Sequence, residues 1–391
     1  MSSRSFRIPC KPGHERADSP AMSRLALDGP KGIRTRVARA LSVGASDVAV
    51  DRYEYSPSRW MLRCTGQVHG KRYFAKIFLA DPYPVPERFN APWEKPGSVS
   101  ERDRTIDEQI AVEWEMTLRM RDLPGKACVP APLGCSLSAR TIVWEEAPGM
   151  VLQKTAKWVW WASSMSQAGG DALQQAGKWL RNTHDASVQA ARTIELSPVV
   201  ESLEKESLRE SHARRKYLEI AVKVLKRTIN DAGSSVFTVP VAFTHGDFCL
   251  SNLIWNQGVN RLSVVDFELS GVRPIWHDLF TLIAHLRAQL LNPVIPKGVI
   301  QSWERSFWAG YGTVSPETEI LVNGFALSYL FQHDLPRLLT RRKRLGRIAG
   351  VNAFLYRVFF EPYVISRRLD PIQQSATLNG RDGSVTHRSL V

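Results

Sequence analysis

The sequence predicts an α+β protein of two lobes, an antiparallel β-rich N-terminal lobe followed by a mainly helical C-terminal lobe. Three observations predict it. The chain is 391 residues long, more than one compact core usually holds. Between residues 48 and 79, short runs rich in β-branched and aromatic residues alternate with turn residues. Beyond residue 150, helical spacing of apolar residues takes over and is interrupted by one clear hairpin. The expected division is a disordered segment over 1–30, an N-terminal lobe over 31–146, a helical lobe over 147–370 and a disordered tail over 371–391.

Composition narrows the class. Hydrophobic residues make up 43% and charged residues 23%, ordinary for a globular protein. No apolar run reaches the roughly 18 residues that span a bilayer, and the charged N-terminus has no apolar core of a secretory signal. Five scattered cysteines (Cys10, Cys64, Cys128, Cys135, Cys249) form no C-x-x-C pair, so the expectation is a reduced cytoplasmic protein without a zinc site. The formal charge of +14 sits at the ends. Residues 1–50 carry nine Lys/Arg against four Asp/Glu, and 337–391 carry eleven against three, which leaves the body near neutral. Such ends suit solvated tails or contacts with a polyanion. No specific nucleic-acid partner is expected.

The elements follow in order. Residues 31–41 have helical spacing and basic residues. Strands are expected over 48–55, 60–65 and 72–78, with turns at Ser56-Pro57-Ser58 and over 66–70. Residues 80–104, rich in Pro and charge, form a long insertion loop. Residues 105–120 are helical, with Ile110, Trp114, Thr117 and Leu118 on one face and acidic residues in the first turns, where they favour the helix dipole. Residues 141–145 form a strand that runs into Glu146-Ala147-Pro148-Gly149. Helices are then expected over 156–165, which carries Trp158, Trp160 and Trp161 as core residues, over 169–185, and as a charged pair within 199–229. After the hairpin come apolar helices over 275–291, 319–335 and 348–365, with the basic run Arg341-Arg342-Lys343-Arg344 between the last two. A basic linker beside apolar helices suits either a solvated turn or peripheral contact with an anionic surface.

The chemistry is concentrated in 243–268. An apolar lead-in runs into His245-Gly246-Asp247, and Asn252 follows five residues after Asp247. Two apolar runs, 253–255 and 262–265, flank the turn residues Asn256, Gly258 and Asn260. A hairpin folds its ends together, so Asn252 comes close to Asp266, and Asp247, Asn252 and Asp266 can converge. Each residue alone suits a turn cap or a salt bridge. Together they are the set that phosphoryl transfer needs: one carboxylate to orient a hydroxyl and take its proton, and an amide and a carboxylate to hold Mg²⁺ on the phosphates.

The motifs His245-Gly246-Asp247-Phe248-Cys249-Leu250-Ser251-Asn252 and Val264-Val265-Asp266-Phe267-Glu268 resemble those of the aminoglycoside phosphotransferase and choline kinase-like family. Gly271, Pro274 and Asp278-Leu279 resemble the continuation. The resemblance covers about residues 45–290 and implies a bilobal protein-kinase-like fold that binds ATP (or GTP) with Mg²⁺ between its lobes. It implies Asp247 as the catalytic base, and Asn252 and Asp266 as metal ligands. Lys76, in Tyr73-Phe74-Ala75-Lys76-Ile77-Phe78, is placed on the phosphates as in V-A-I-K, with Glu113 pairing it and Glu115 as the alternative. Backbone groups of Glu145 to Ala147 are assigned to the adenine edge. No G-x-G-x-x-G precedes Lys76, so Ser hydroxyls and N–H groups of the first hairpin are left to cover the nucleotide. His245 is expected to orient the catalytic loop, His184 to pack, and Asp278 to cap its helix or brace that loop. Glu268 replaces the Gly of D-F-G, which removes a switch. The acceptor class is a small-molecule hydroxyl, on a sugar, amino alcohol, aminoglycoside-like compound or glycoconjugate. The competing reading is a catalytically inactive binding or scaffold protein. A protein kinase is disfavoured because no A-P-E-like segment follows Asp266.

Overall fold

The computed structural model describes residues 29–55, 61–79, 83–84, 103–123, 128–158, 163–291 and 295–334. The expected terminal segments, most of the 80–104 loop, the tip of the first hairpin, the indole contacts of Trp158, Trp160 and Trp161, and the basic run with its following helix lie outside the described residues. The chain divides into two compact units. The first comprises Met1–Pro86, Ser100–Arg119 and Pro130–Ala147, and the second the remainder.

In the first unit, helix α1 (Gly29–Leu41) precedes strands β1 (Val48–Tyr55), β2 (Met61–Val68) and β3 (Lys71–Phe78), a two-residue ladder of β4 (Tyr83–Pro84) with β5 (Asp103–Arg104), helix α2 (Ile106–Asp122), and strands β6 (Pro132–Ser136) and β7 (Thr141–Glu145). The main sheet runs β1-β2-β3-β7-β6, with every pair antiparallel. Strand β2 runs on through Gly66 to Val68, whereas a turn is expected from residue 66. A Cβ at Gly66 would lie 1.9 Å from the Ala49 carbonyl oxygen, so this glycine serves close backbone approach, and the turn is left to His69-Gly70.

Strand alternation divides the side chains of β3 between two apolar layers. Tyr73, Ala75 and Ile77 join Ile33, Val37 and Ala38 of α1. Phe78 and the partly buried Phe74 join Ile106 and Ile110 of α2. Lys76 shares the parity of Phe74 and Phe78 and therefore faces α2. That helix begins with a capping box: the Glu108 N–H donates to Thr105 Oγ1 (3.2 Å), and the Thr105 N–H donates back to Glu108 Oε2 (2.8 Å).

The second unit is mainly helical. Strand β8 (Met150–Val151) leads into α3 (Leu152–Trp158) and α4 (Ser163–Ser187). Strand β9 (Gln189–Glu195) follows, then α5 (Ser197–Arg209), α6 (His212–Ala232) and strand β10 (Val236–Thr244). Strands β11 (Leu253–Asn256), β12 (Arg261–Val264) and β13 (Gly271–Pro274) precede α7 (Trp276–Ala288), α8 (Lys297–Tyr311) and α9 (Pro316–Tyr329). The strands form two small sheets, β13-β10-β9 and β12-β11-β8. Helix α8 is not anticipated from the sequence. It packs on α4, where Trp303, Phe307 and Tyr311 are buried. Trp276 of α7 meets Phe325 of α9 edge to face, with ring centroids 4.4 Å apart. No helix among the described residues is long and apolar enough to cross a membrane.

Candidate active site

The site in the second unit is built on the β10–β11 loop and the β11–β12 hairpin. The hairpin pairs Leu253 with Val264 and Asn256 with Arg261. Its turn is closed by the Asn256 side chain, which accepts from the Gly258 N–H, and by Asn260 in the left-handed region that Asn tolerates. One step beyond the ladder, the Val265 N–H donates to the Asn252 carbonyl at 3.0 Å. This bond holds Asn252 beside the residue that precedes Asp266. The Asn252 amide in turn donates to the Asp247 carbonyl (2.9 Å) and to Asp247 Oδ2 (3.1 Å). Asn252 is thus tied by its amide to Asp247 and by its carbonyl to Val265, the residue before Asp266.

Two features of this loop are conformationally demanding. Gly246 has φ +84°, and a Cβ there would lie 2.0 Å from the Leu269 carbonyl oxygen. Asp266 has φ +74°, sparsely populated for a residue with a side chain, so the surrounding structure must hold it there.

The His245-Gly246 turn is held from α7. Asp278, fully buried, accepts from the His245 N–H at 2.7 Å and the Gly246 N–H at 2.8 Å, with His184 Nε2 at 3.4 Å from the same carboxylate. Burial alone would raise the Asp278 pKa. The hydrogen bonds and charges of His184 and His277 outweigh it and hold the carboxyl far below the usual range. His184 is itself fixed at Nδ1 by the Tyr311 hydroxyl, 2.9 Å away. Asp278 therefore braces the loop instead of capping its own helix, whose N-cap is Ile275.

His245 is fully buried and not positioned for acid–base work. Its Nε2 donates to the Val265 carbonyl at 3.0 Å, and its Nδ1 accepts from the Asp247 N–H at 3.3 Å, so one imidazole ties the segments bearing Asp247 and Asp266 together. Phe248 and Phe267 pack on the ring, with centroids 5.7 and 5.0 Å away. Two neighbours of Asp247, Cys249 and His285, were not foreseen. Cys249 occupies an unspecified position of D-x-x-x-x-N, and His285 reaches the loop from α7.

In the first unit, Lys76 Nζ lies 2.5 Å from Glu113 Oε1, with side-chain exposures of 3% and 1%, and 5.8 Å from the centroid of the Trp144 ring. Ile106, Ile110, Glu113 and Thr117 share one stripe of α2, at helical offsets of four, three and four, while Glu115 points outward. The rotation of α2 thus selects Glu113 over Glu115. Removing one partner of a buried ion pair strands the other charge. Glu113→Ala is expected to cost about 3 kcal/mol in chemical denaturation, and Glu115→Ala to stay within about 0.5 kcal/mol.

At the end of β7 the Glu145 N–H donates to the Ala131 carbonyl (2.8 Å) and the Glu146 N–H to the Arg72 carbonyl (3.2 Å). The N–H groups of Glu145 and Glu146, two of the three residues assigned to the adenine edge, are thus engaged within this unit.

A model of the phosphotransferase enzyme family matches residues 107–316. No curated protein matches the chain in sequence. Among solved structures, an amicoumacin kinase in complex with AMP-PNP, Ca²⁺ and Ami is 12% identical, covers 89% of this chain and 92% of its own, and has a TM-score of 0.47. A choline/ethanolamine kinase family protein from Mesorhizobium loti is 14% identical over 88% of this chain and 99% of its own, with a TM-score of 0.45. An aminoglycoside phosphotransferase from Alicyclobacillus acidocaldarius is 14% identical over 85% of this chain and 92% of its own, also at 0.45.

Proposed function

Because the chain belongs to the phosphotransferase enzyme family, we propose that it moves the γ-phosphoryl group of ATP to a hydroxyl of a small molecule with the help of Mg²⁺. The observation that supports this reading is the hairpin pairing that sets Asn252 on Asp247 through its amide and on Val265, next to Asp266, through its carbonyl.

Asp247 orients the acceptor hydroxyl and takes its proton as the acceptor oxygen bonds to phosphorus and the bridging oxygen leaves with ADP. Its N–H is held by His245 and its Oδ2 by Asn252, so its rotamer is set before substrate arrives. The donor set suits Mg²⁺, which prefers a few hard oxygens. The Asn252 NH₂ is committed to Asp247, so Oδ1, 3.5 Å from the Ser251 hydroxyl, is the atom this residue would offer a cation, with Asp266 as the carboxylate ligand. A Mg²⁺ ion held by Asn252 and Asp266 would supply the positive charge that offsets that of the phosphates. Lys76 steadies the α/β-phosphates and Glu113 steadies Lys76. The Glu145 carbonyl and Ala147 N–H take the base edge, whether of ATP or GTP.

The acceptor is read as a sugar, an amino alcohol, an aminoglycoside-like compound or a glycoconjugate. The near-neutral body of the chain does not discriminate among these acceptors, and the basic ends weigh mildly against a cationic one.

Thermal melting with ATP, with and without Mg²⁺, tests the reading. A ligand that binds only the folded state at 100 times its Kd stabilises by about 2.7 kcal/mol. A Mg²⁺-dependent rise in Tm is expected, and Asp266→Ala should lose it. Absence of a rise with every nucleotide would overturn the assignment. A rise would be followed by transfer from γ-labelled ATP to a panel of hydroxyl compounds.

A further inference from the structure

We propose that Asp247, Cys249 and His285 form a site for a thiophilic divalent cation of the zinc class, which would seize the carboxylate that the acceptor hydroxyl needs. One ligand atom from each residue, a carboxylate oxygen, a thiol sulfur and an imidazole nitrogen, lies within 4.8 Å of the other two. Tetrahedral zinc holds such donors about 3.3–3.6 Å apart, given bond lengths of about 2.0–2.3 Å. Side-chain rotation of a fraction of an ångström to about one ångström would close the set.

Each ligand is suitably placed. Asp247 and Cys249 are two residues apart in one loop, and His285 comes from the last turn of α7 with its ring half-exposed, beside Tyr329. Cys249 is buried, with its sulfur 3.0 Å from Ser251 Oγ. Burial, and after it the Asp247 charge, push the Cys249 thiol well above its usual range, so the thiol stays protonated without a cation. A bound cation would replace that proton: the sulfur binds as thiolate, and one proton is released to solvent. Three protein ligands leave the fourth position for water or a phosphate oxygen.

The donor set also discriminates. Thiolate and imidazole select zinc, cobalt or cadmium, whereas Mg²⁺ takes hard oxygens and sheds its water reluctantly. Millimolar Mg²⁺ would therefore leave the site open. The scattered cysteines and missing C-x-x-C argue against zinc when spacing alone is considered. The third ligand is 36 residues from Cys249 (249 to 285), beyond any local motif. The inhibitory consequence rests on the reading of Asp247 as the base, but the binding does not.

Cobalt(II) titration of the full chain separates the two. A near-ultraviolet thiolate-to-cobalt charge-transfer band should saturate at one equivalent, bleach on addition of zinc and persist in excess Mg²⁺. Cys249→Ser, nearly isosteric, should abolish it although Cys10, Cys64, Cys128 and Cys135 remain. His285→Gln, at a half-exposed position, should weaken binding by more than about tenfold, since even the outer-shell partners of ligands are worth that much. A band unchanged in Cys249→Ser, or no saturable band, overturns the site. Zinc should also inhibit phosphoryl transfer, with His285→Gln needing more than about tenfold more zinc. Equal sensitivity would overturn the inhibitory role. Failure of the phosphotransferase reading would leave the cobalt spectrum intact.

Discussion

Asp247→Ala is expected to slow phosphoryl transfer by about 10²–10⁴-fold, the usual worth of a positioned general base. The Mg²⁺-dependent nucleotide shift in Tm should remain near that of the parent. The separation follows from the arrangement of the loop. Asn252 reaches Asp247 through both the main-chain carbonyl and Oδ2, at 2.9 and 3.1 Å, and the substitution removes the second bond alone. Asn252 is also anchored through its own carbonyl by the Val265 N–H, so the cation-facing residues stay in place. Asp247→Asn is the useful companion, because it keeps the size and loses the proton acceptor. Full turnover in either variant would remove Asp247 from the chemistry.

The largest stability effect is expected at Asp278. Asp278→Ala strips acceptors from the His245 and Gly246 N–H groups and from His184, all buried. Hydrogen bonds to a charged acceptor are worth about 1.5–3 kcal/mol each, and stranded buried donors add their desolvation. A loss of about 5 kcal/mol or more follows, read as a fall in Tm or in the denaturant midpoint. Activity should fall as well, because Gly246, at φ +84°, is held directly by this carboxylate.

The pH dependence has a definite sign. The Asp278 pKa is lower in the folded chain than in the unfolded one, so its contribution is present above the unfolded value of about 3.9. As pH falls below that value toward the depressed folded one, the contribution is lost progressively. The gap in unfolding free energy between the parent and Asp278→Asn should be flat from about pH 7 to 5 and narrow below about pH 4. A gap that widened on acidification would contradict the assignment.

Much of the hairpin is legible in the sequence alone. Two apolar runs around Asn256, Gly258 and Asn260 define the turn, and antiparallel pairing then brings Asn252 to Val265 with no help from distant residues. The same holds for β3, where alternation alone assigns Lys76 to the face of Phe74 and Phe78. By contrast, β9 and α8 were not read. Strand β9 is largely exposed and shows no apolar alternation, and α8 shows its apolar stripe of Ile300, Trp303, Phe307 and Tyr311 fully used once α4 covers it.

By itself the sequence determined the first three strands, the helix that follows them, the β11–β12 hairpin, and the spacing of Asp247, Asn252 and Asp266 around it. These depend on contacts within a few residues, where chain periodicity and turn chemistry dominate. The tertiary structure decided which glutamate meets Lys76, that Asp278 braces the loop instead of capping α7, and that His285 stands beside Asp247 and Cys249. Those outcomes depend on the rotation and docking of α2 and α7, set by packing between residues 33 to 94 positions apart, and no local periodicity encodes them.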